Sequence, residues 1–294
     1  MIQAITFYNN PNDILKANIG ETVNRRHTYD DWHILASERP VFTPPEVKTN
    51  YVDVPGGHGS LDLTESLTKY PTYKNRTGSF KFRVMNDYMK DGKIIYESNT
   101  QGRWAERYSE IMEYLHGKYL YAVLDDDPDW FYKGRFAVEG WNPADTWSEL
   151  TIKYEVNPFK WNKYSSTSEW LWDPFNFETG VTWDVACNDI EINSPEKFTK
   201  ILLPPYVLDE KSMSTFFGGV AVSPTIIFAP PSGSIDKGVD IRFVNKYLGI
   251  DITQHFRAGA TPAPDFIFYG QTEPYEMHLK GVGTVSIDFR VGRL

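Results

Sequence analysis

The chain reads as a mainly β protein in two parts, the first of which carries one α-helix. Three observations predict this. Aromatic residues are abundant, with 18 Phe, 18 Tyr and 9 Trp in 294 residues, and aromatic side chains favour the pleated, half-buried surfaces of sheets. Nineteen prolines and 21 glycines are spread along the chain, which suits the many turns that short strands need. Apolar residues recur with period two in segment after segment, whereas a 3.6-residue period is sustained in one stretch only.

The elements follow in order. A first strand is expected over Ile2–Tyr8, then a turn at Asn9-Asn10-Pro11-Asn12. Residues 24–39 have no clean period, and Arg25, Arg26, His27, Asp30, Asp31 and His33 read as a solvated loop; the spacing of the two histidines matches no helix-face metal pair. Tyr51-Val52-Asp53-Val54 alternates up to Pro55, which cannot donate to a central ladder. Gly56, Gly57 and Gly59 then permit a sharp turn, and Leu61 and Leu63 resume the alternation. This glycine corner lacks the lysine and hydroxyl residue of a phosphate loop, so it is read as backbone geometry. Phe80, Phe82 and Val84 alternate with Ser79, Lys81 and Arg83, and Asp91-Gly92 suits a two-residue hairpin turn.

The single helix is expected from about Thr100 to His116. Trp104, Tyr108, Ile111, Met112 and Leu115 form one apolar stripe, whose burial is worth about 1.5–3 kcal/mol per side chain. Gly117 is placed to end it, and His116 to complement its dipole. Strands follow at Lys118–Leu124, Phe131–Trp141 and Trp147–Val156. Between the first two, four acids in five residues (Asp125-Asp126-Asp127-Pro128-Asp129) have the composition of a calcium loop but not its twelve-residue pattern, so we read a turn. Tyr164–Ser168 reads as a linker, giving an expected division into domains 1–162 and 163–294. In the second part successive strands are expected at Gly180–Val185, Asp189–Asn193, Lys200–Leu203, Gly219–Val222, Thr225–Phe228, Val239–Val244, Tyr247–Ile252, Phe266–Tyr269, Tyr275–Leu279 and Gly283–Val291. That spacing implies an antiparallel sandwich.

The formal charge is −9 and the pI about 5.2, which disfavours duplex recognition, since that needs a basic face. Residues 1–160 hold 19 basic and 23 acidic side chains, so this half is acidic too. No apolar run is long enough to span a membrane, and the N-terminus lacks the features of a signal peptide. The lone Cys187 excludes an internal disulfide and points to cytosolic production. No hydrolase elbow, zinc helix or Cys/His pair is present, so no catalytic, cofactor or metal residues are expected. Trp170, Trp172 and Trp183, with Phe175, suit either a sugar-stacking platform or packing within and between domains.

The glycine corner gains meaning with its neighbours. Lys48 to Glu65 followed by Tyr73-Lys74-Asn75-Arg76-Thr77-Gly78, then Leu115-His116-Gly117-Lys118, Asp125-Asp126-Asp127-Pro128 and Tyr132-Lys133-Gly134-Arg135, resemble in order the distal tail protein family of long-tailed bacteriophages and prophages. The resemblance covers about residues 45–140. It implies an N-terminal β-sandwich with one docked helix and a protruding hairpin, followed by a C-terminal galectin-like sandwich. It also implies a structural protein of the virion, assembled in the host cytoplasm as a homo-hexameric ring. Such a ring joins the tail tube protein to tail-associated lysin, tip or receptor-binding proteins, and DNA passes through its centre without specific binding. A net-negative chain suits such a conduit, and an acidic lumen is expected. The alternative is a carbohydrate-binding module acting through its C-terminal domain. The family's pattern names no catalytic residues.

Overall fold

The computed structural model describes residues 3–18, 20–84, 87–90, 93–96, 100–142, 148–167, 175–176, 181–182, 187–203, 220–233, 237–270 and 275–294. The chain is mainly β with several antiparallel sheets, and it divides into two compact units. One comprises residues 1–64, 71–163 and 294; the other comprises 65–70 and 164–293.

The first unit contains β1 (Ile5–Tyr8), α1 (Pro11–Asn18), β2 (Arg25–His27), β3 (Ile34–Ala36), β4 (Tyr51–Asp53), β5 (Ser60–Asp62), β6 (Arg76–Val84), β7 (Asp87–Lys90), β8 (Lys93–Tyr96), α2 (Thr100–Leu115), β9 (Lys118–Leu124), β10 (Trp130–Asn142), β11 (Ser148–Val156) and β12 (Lys160–Ser165). Its main sheet runs β2-β1-β9-β10-β11-β6-β3, with β12 beside the start of β10. Period-two alternation sorts the side chains onto two faces. Ile5 and Phe7, Leu120 and Ala122, Phe136, Leu150, Ile152 and Tyr154, and Phe80 and Phe82 join Ile111 and Leu115 of α2 in the larger core. Tyr8, Val123 and Phe131 join Ile14 of α1 on the other face. The expected alternation of β6 and β11 is present: Phe80, Phe82 and Val84 are buried while Ser79, Lys81 and Arg83 are exposed.

The helical stripe docks as expected through Tyr108, Ile111, Met112 and Leu115, while the side chain of Trp104 lies outside the described residues. Gly117 takes φ +74° and donates its N–H to Phe136 O at 2.8 Å, so the helix end is tied to β10. His116 acts differently from the expected dipole partner. Its Nδ1 accepts the N–H of Val138 at 3.2 Å, beside the register shift between Val138 and Gly140.

Three expectations are corrected in this unit. The segment read as an Asn-Pro turn opens a second helix, α1. Asn10 caps it by accepting the Asn12 N–H at 3.0 Å, and Pro11 takes the first helical position, where a missing N–H costs nothing. The segment read as a solvated loop supplies β2, β3 and the fully buried Trp32. The segment read as a linker, Tyr164–Ser168, begins inside a strand: Tyr164 and Ser165 end β12, which pairs Trp161 with Phe131 and Asn162 with Trp130, and Trp161 packs on the second core.

The second unit contains β13 (Phe175–Asn176), β14 (Val181–Thr182), β15 (Ile190–Leu203), β16 (Thr225–Ala229), β17 (Val239–Asn245), β18 (Ile250–Phe256), β19 (Gly259–Pro262), β20 (Tyr275–Asp288) and β21 (Arg290–Arg293). Its sheet runs β18-β17-β20-β16-β19, with β15 pairing β20. β20 is the spine. β17 pairs with its first half and β16 with its second, and β15 follows nearly its whole length. Several strands expected as pairs are therefore single: Asp189–Asn193 and Lys200–Leu203 merge in β15, and Tyr275–Leu279 joins the following segment in β20. At Gly219–Val222 and Phe266–Tyr269 the described residues form only an isolated bridge, Val222 to Phe268. The core is aromatic, with Phe243 packed on Phe266 and Phe268 at 5.2 Å and Phe268 on Tyr275 at 5.0 Å. Ser286 is buried although it alternates with the core residues Val285 and Ile287: it accepts the Asp189 N–H at 2.9 Å and donates to Asn188 Oδ1. Residues 65–70 belong to this unit, Lys69 Nζ donating to Leu248 O at 2.9 Å and Tyr70 lying 4.8 Å from Tyr269.

Candidate interaction surface

The glycine corner is a two-stranded hairpin. β4 and β5 pair Tyr51 with Asp62, Val52 with Leu61 and Asp53 with Ser60. Gly56 and Gly59 adopt φ +80° and +78°, which L side chains rarely adopt. Pro55 stands at the start of the tip, where no ladder bond is needed.

The hairpin's backbone and polar side chains are tied down while its apolar side chains are exposed. Gly57 N–H donates to Val54 O at 3.0 Å, Leu63 N–H to Asn50 O at 2.8 Å, Asn50 N–H to Thr64 Oγ1 at 3.0 Å, and the Ser60 hydroxyl to Asp53 Oδ1 at 2.7 Å. Hydrogen bonds from the Thr64 hydroxyl and N–H hold the Asp62 carboxyl below the usual carboxylate range. Yet all six residues of the two strands are exposed. Tyr51 is 60% exposed, and the cross-strand pair Val52 and Leu61 44% and 53%. A lone two-stranded ribbon is marginal in water, and an ordered ribbon with apolar side chains on both faces has the character of a contact surface.

The acidic turn is saturated by its own chain. The Asp125 carboxylate lies 3.3 Å from His27 Nε2, and Asp126 accepts from Arg39 Nε at 2.8 Å. Asp127 pairs with Lys160 at 2.5 Å and Asp129 with Lys163 at 2.6 Å. Asp127 N–H donates to Leu124 O, closing the turn. The turn reading therefore holds, and among the described residues no group of three or more His, Cys, Asp or Glu is placed to hold a metal ion. His27, read from sequence as solvated, is nearly buried. Its Nδ1 accepts the Asp30 N–H at 2.9 Å, which puts the ring proton on Nε2 facing Asp125.

The other segments of the family resemblance also serve the sheet. Arg76 is 5% exposed, and among the described residues no carboxylate pairs with it. It donates from Nε to Pro158 O at 2.7 Å and from Nη1 to Thr43 O at 3.1 Å, with its guanidinium 5.4 Å from the Tyr132 ring. Desolvation lowers its pKa. A Cβ at Gly78 would strike the Tyr154 hydroxyl, and one at Gly134 would strike the backbone of Glu155 and Val156. Trp170, Trp172 and Trp183, singled out as candidate sugar- or partner-binding aromatics, lie outside the described residues. Among the described residues no helix is long and apolar enough to cross a membrane.

No protein-family model and no curated protein matches this chain. Among solved structures it is similar to the crystal structure of the SPP1 Dit protein, described as a paradigm of the hub adsorption apparatus in phages infecting Gram-positive bacteria. That similarity spans 100% of both chains at 12% identity, with a TM-score of 0.49.

Proposed function

We propose that this chain is a structural subunit of a phage tail tip, closing into a hexameric ring between the tail tube and the host-adsorption proteins. The observation that carries this reading is the β4–β5 hairpin. It is ordered by its own hydrogen bonds, exposes apolar side chains on both faces, and lies within the segments that resemble distal tail proteins. In a closed ring each subunit offers one surface to a different surface of the next. A ribbon that buries Tyr51, Val52 and Leu61 on its neighbour fits such an interface. The charge saturation of the acidic turn and the scaffolding roles of Arg76, Gly78, Gly117 and Gly134 support a domain built for rigidity.

In this reading the second unit is a galectin-like sandwich, and the net-negative chain lets DNA pass without holding its phosphates. The test is the mass in solution. Six chains of 33.9 kDa give an assembly of roughly 200 kDa by light scattering. The double variant Val52→Asp/Leu61→Asp should keep the subunit's stability within about 0.5 kcal/mol, as exposed positions do, while reducing the assembly to monomers. Monomers of the unaltered chain, alone and with its tail tube protein, would refute the proposal. So would a double variant that still forms the ring.

A further inference from the structure

We propose that a groove in the second unit binds a small organic anion, a sugar-sized molecule carrying a phosphate or carboxylate. The inference goes beyond the ring role and stands independently of it. The groove has a volume of about 560 Å³, within the range of small-molecule sites. Its floor is a row of three side chains abreast on adjacent strands: the register sets Asp240 of β17 opposite His255 of β18 on one side and Lys280 of β20 on the other. Lys280 faces the interruption of β15 between Ser194 and Thr199, where its Nζ lies 5.9 Å from the Phe198 ring. Pro195 forms that bank, and Pro230 with Lys237 forms the other.

Charge gives this place its character. Nearby cations of the sheet are paired with acids: Lys200 and Lys246 with Glu276 at 3.0 and 3.2 Å, and Arg242 with Asp251 at 2.6 Å. In the groove the one acid, Asp240, is engaged by His255 Nδ1 at 2.7 Å. Lys237 and Lys280 have no carboxylate partner among the described residues. Two ammonium groups against the one carboxylate of Asp240 leave an excess of positive charge among the described residues of one concavity, in a chain of net charge −9, and make a local anion site. Gly238 builds it: with φ +70° it lets the chain after Lys237 lie against the His255 ring, where any Cβ would collide. The prolines and Val282 supply stiff, saturated walls whose geometry is set before binding. A charged end with a compact saturated body fits these walls. An extended nucleic acid, which needs a broad basic surface, does not.

The test is calorimetric titration of the full chain at low salt with glucose 6-phosphate, glucuronate, inorganic phosphate and glucose. Saturable binding of glucose 6-phosphate or glucuronate is expected, the tighter of the two identifying the charged group, with no binding of glucose. Either Lys237→Gln or Lys280→Gln should weaken it about tenfold, and the double variant should abolish it. Asp240→Asn should strengthen it, which a merely unfolded variant could not do. Absence of saturation by either sugar anion at about 10 mM, or unchanged binding in the double variant, would overturn the proposal. So would binding of a glutamate-rich peptide, lost in the same variants, without binding of the sugar anions, since the occupant would then be an acidic protein segment.

Discussion

Replacing Arg76 by methionine should destabilise the first unit by about 2–4 kcal/mol. The guanidinium makes two charge-assisted hydrogen bonds, to Pro158 O and Thr43 O. Their loss, which leaves both carbonyls without this donor, costs about 3–6 kcal/mol. Its placement on Tyr132 adds about 1 kcal/mol. Against this, methionine removes a desolvated cation whose Nη2 has no hydrogen-bond partner, offsetting about 2–3 kcal/mol. Urea unfolding followed by tryptophan fluorescence checks the figure: the midpoint should fall while the slope stays fixed. Arg76→Lys is the decisive companion. It keeps the charge but replaces the planar fork with one ammonium, which cannot serve two carbonyls as the fork does, so it should destabilise comparably. A methionine variant within about 0.5 kcal/mol of the parent, or a silent lysine variant, would refute the reasoning.

Three further outcomes are expected. Gly134→Ala should destabilise the first unit by about 3 kcal/mol or more, because the new methyl meets backbone rather than a flexible side chain; thermal unfolding measures it. Burial raises the Tyr114 hydroxyl to about 12. It therefore favours the fold fully below the unfolded value of about 10, and that contribution is lost as pH rises from there towards 12. Tyr114→Phe should flatten this alkaline loss in a pH series of unfolding midpoints, at a cost of about 1 kcal/mol from the bond to Phe7 O. The Cys187 thiol, also pushed up to about 12 by burial, should react slowly with a disulfide reagent at pH 8 in the folded chain and quickly after unfolding, as assayed by absorbance.

What the chain reveals of itself depends on how local the cause is. The stripe of α2 and the alternation of β6 and β11 were legible because each repeats within a few residues. Arg76 was legible in principle as well: counting back by twos from Phe80 reaches it, so it lies on the buried face, but a charged side chain invites the opposite reading. The helix α1 was hidden by its shortness, since Asn10 and Pro11 are as much a helix start as a turn. His27 and Asp125 are 98 positions apart, and nothing near either residue announces the other. The hairpin was legible as strand, corner and strand. Its exposure on both faces was not, because period two says only that the faces differ, not that one is covered. In the groove, Asp240, His255 and Lys280 are brought abreast by strand register alone.

Beyond the hairpin, the segments that resemble distal tail proteins converge on one sheet, and their residues there have structural reasons. Arg76 of one segment lies over Tyr132 of another. Gly78 makes room for Tyr154, Gly134 lets β11 approach β10, and Gly117 turns α2 into β9. The acids of Asp125–Asp127 anchor His27, Arg39 and Lys160. Each of these is an internal requirement, met within the subunit. The β4–β5 hairpin differs. Its glycines serve its own turn, but Tyr51, Val52 and Leu61 stay exposed among the described residues. A feature ordered at the backbone and exposed at its apolar side chains is explained by what lies outside the subunit, and this is why the proposed ring contact is assigned to the hairpin rather than to the more densely patterned segments around it.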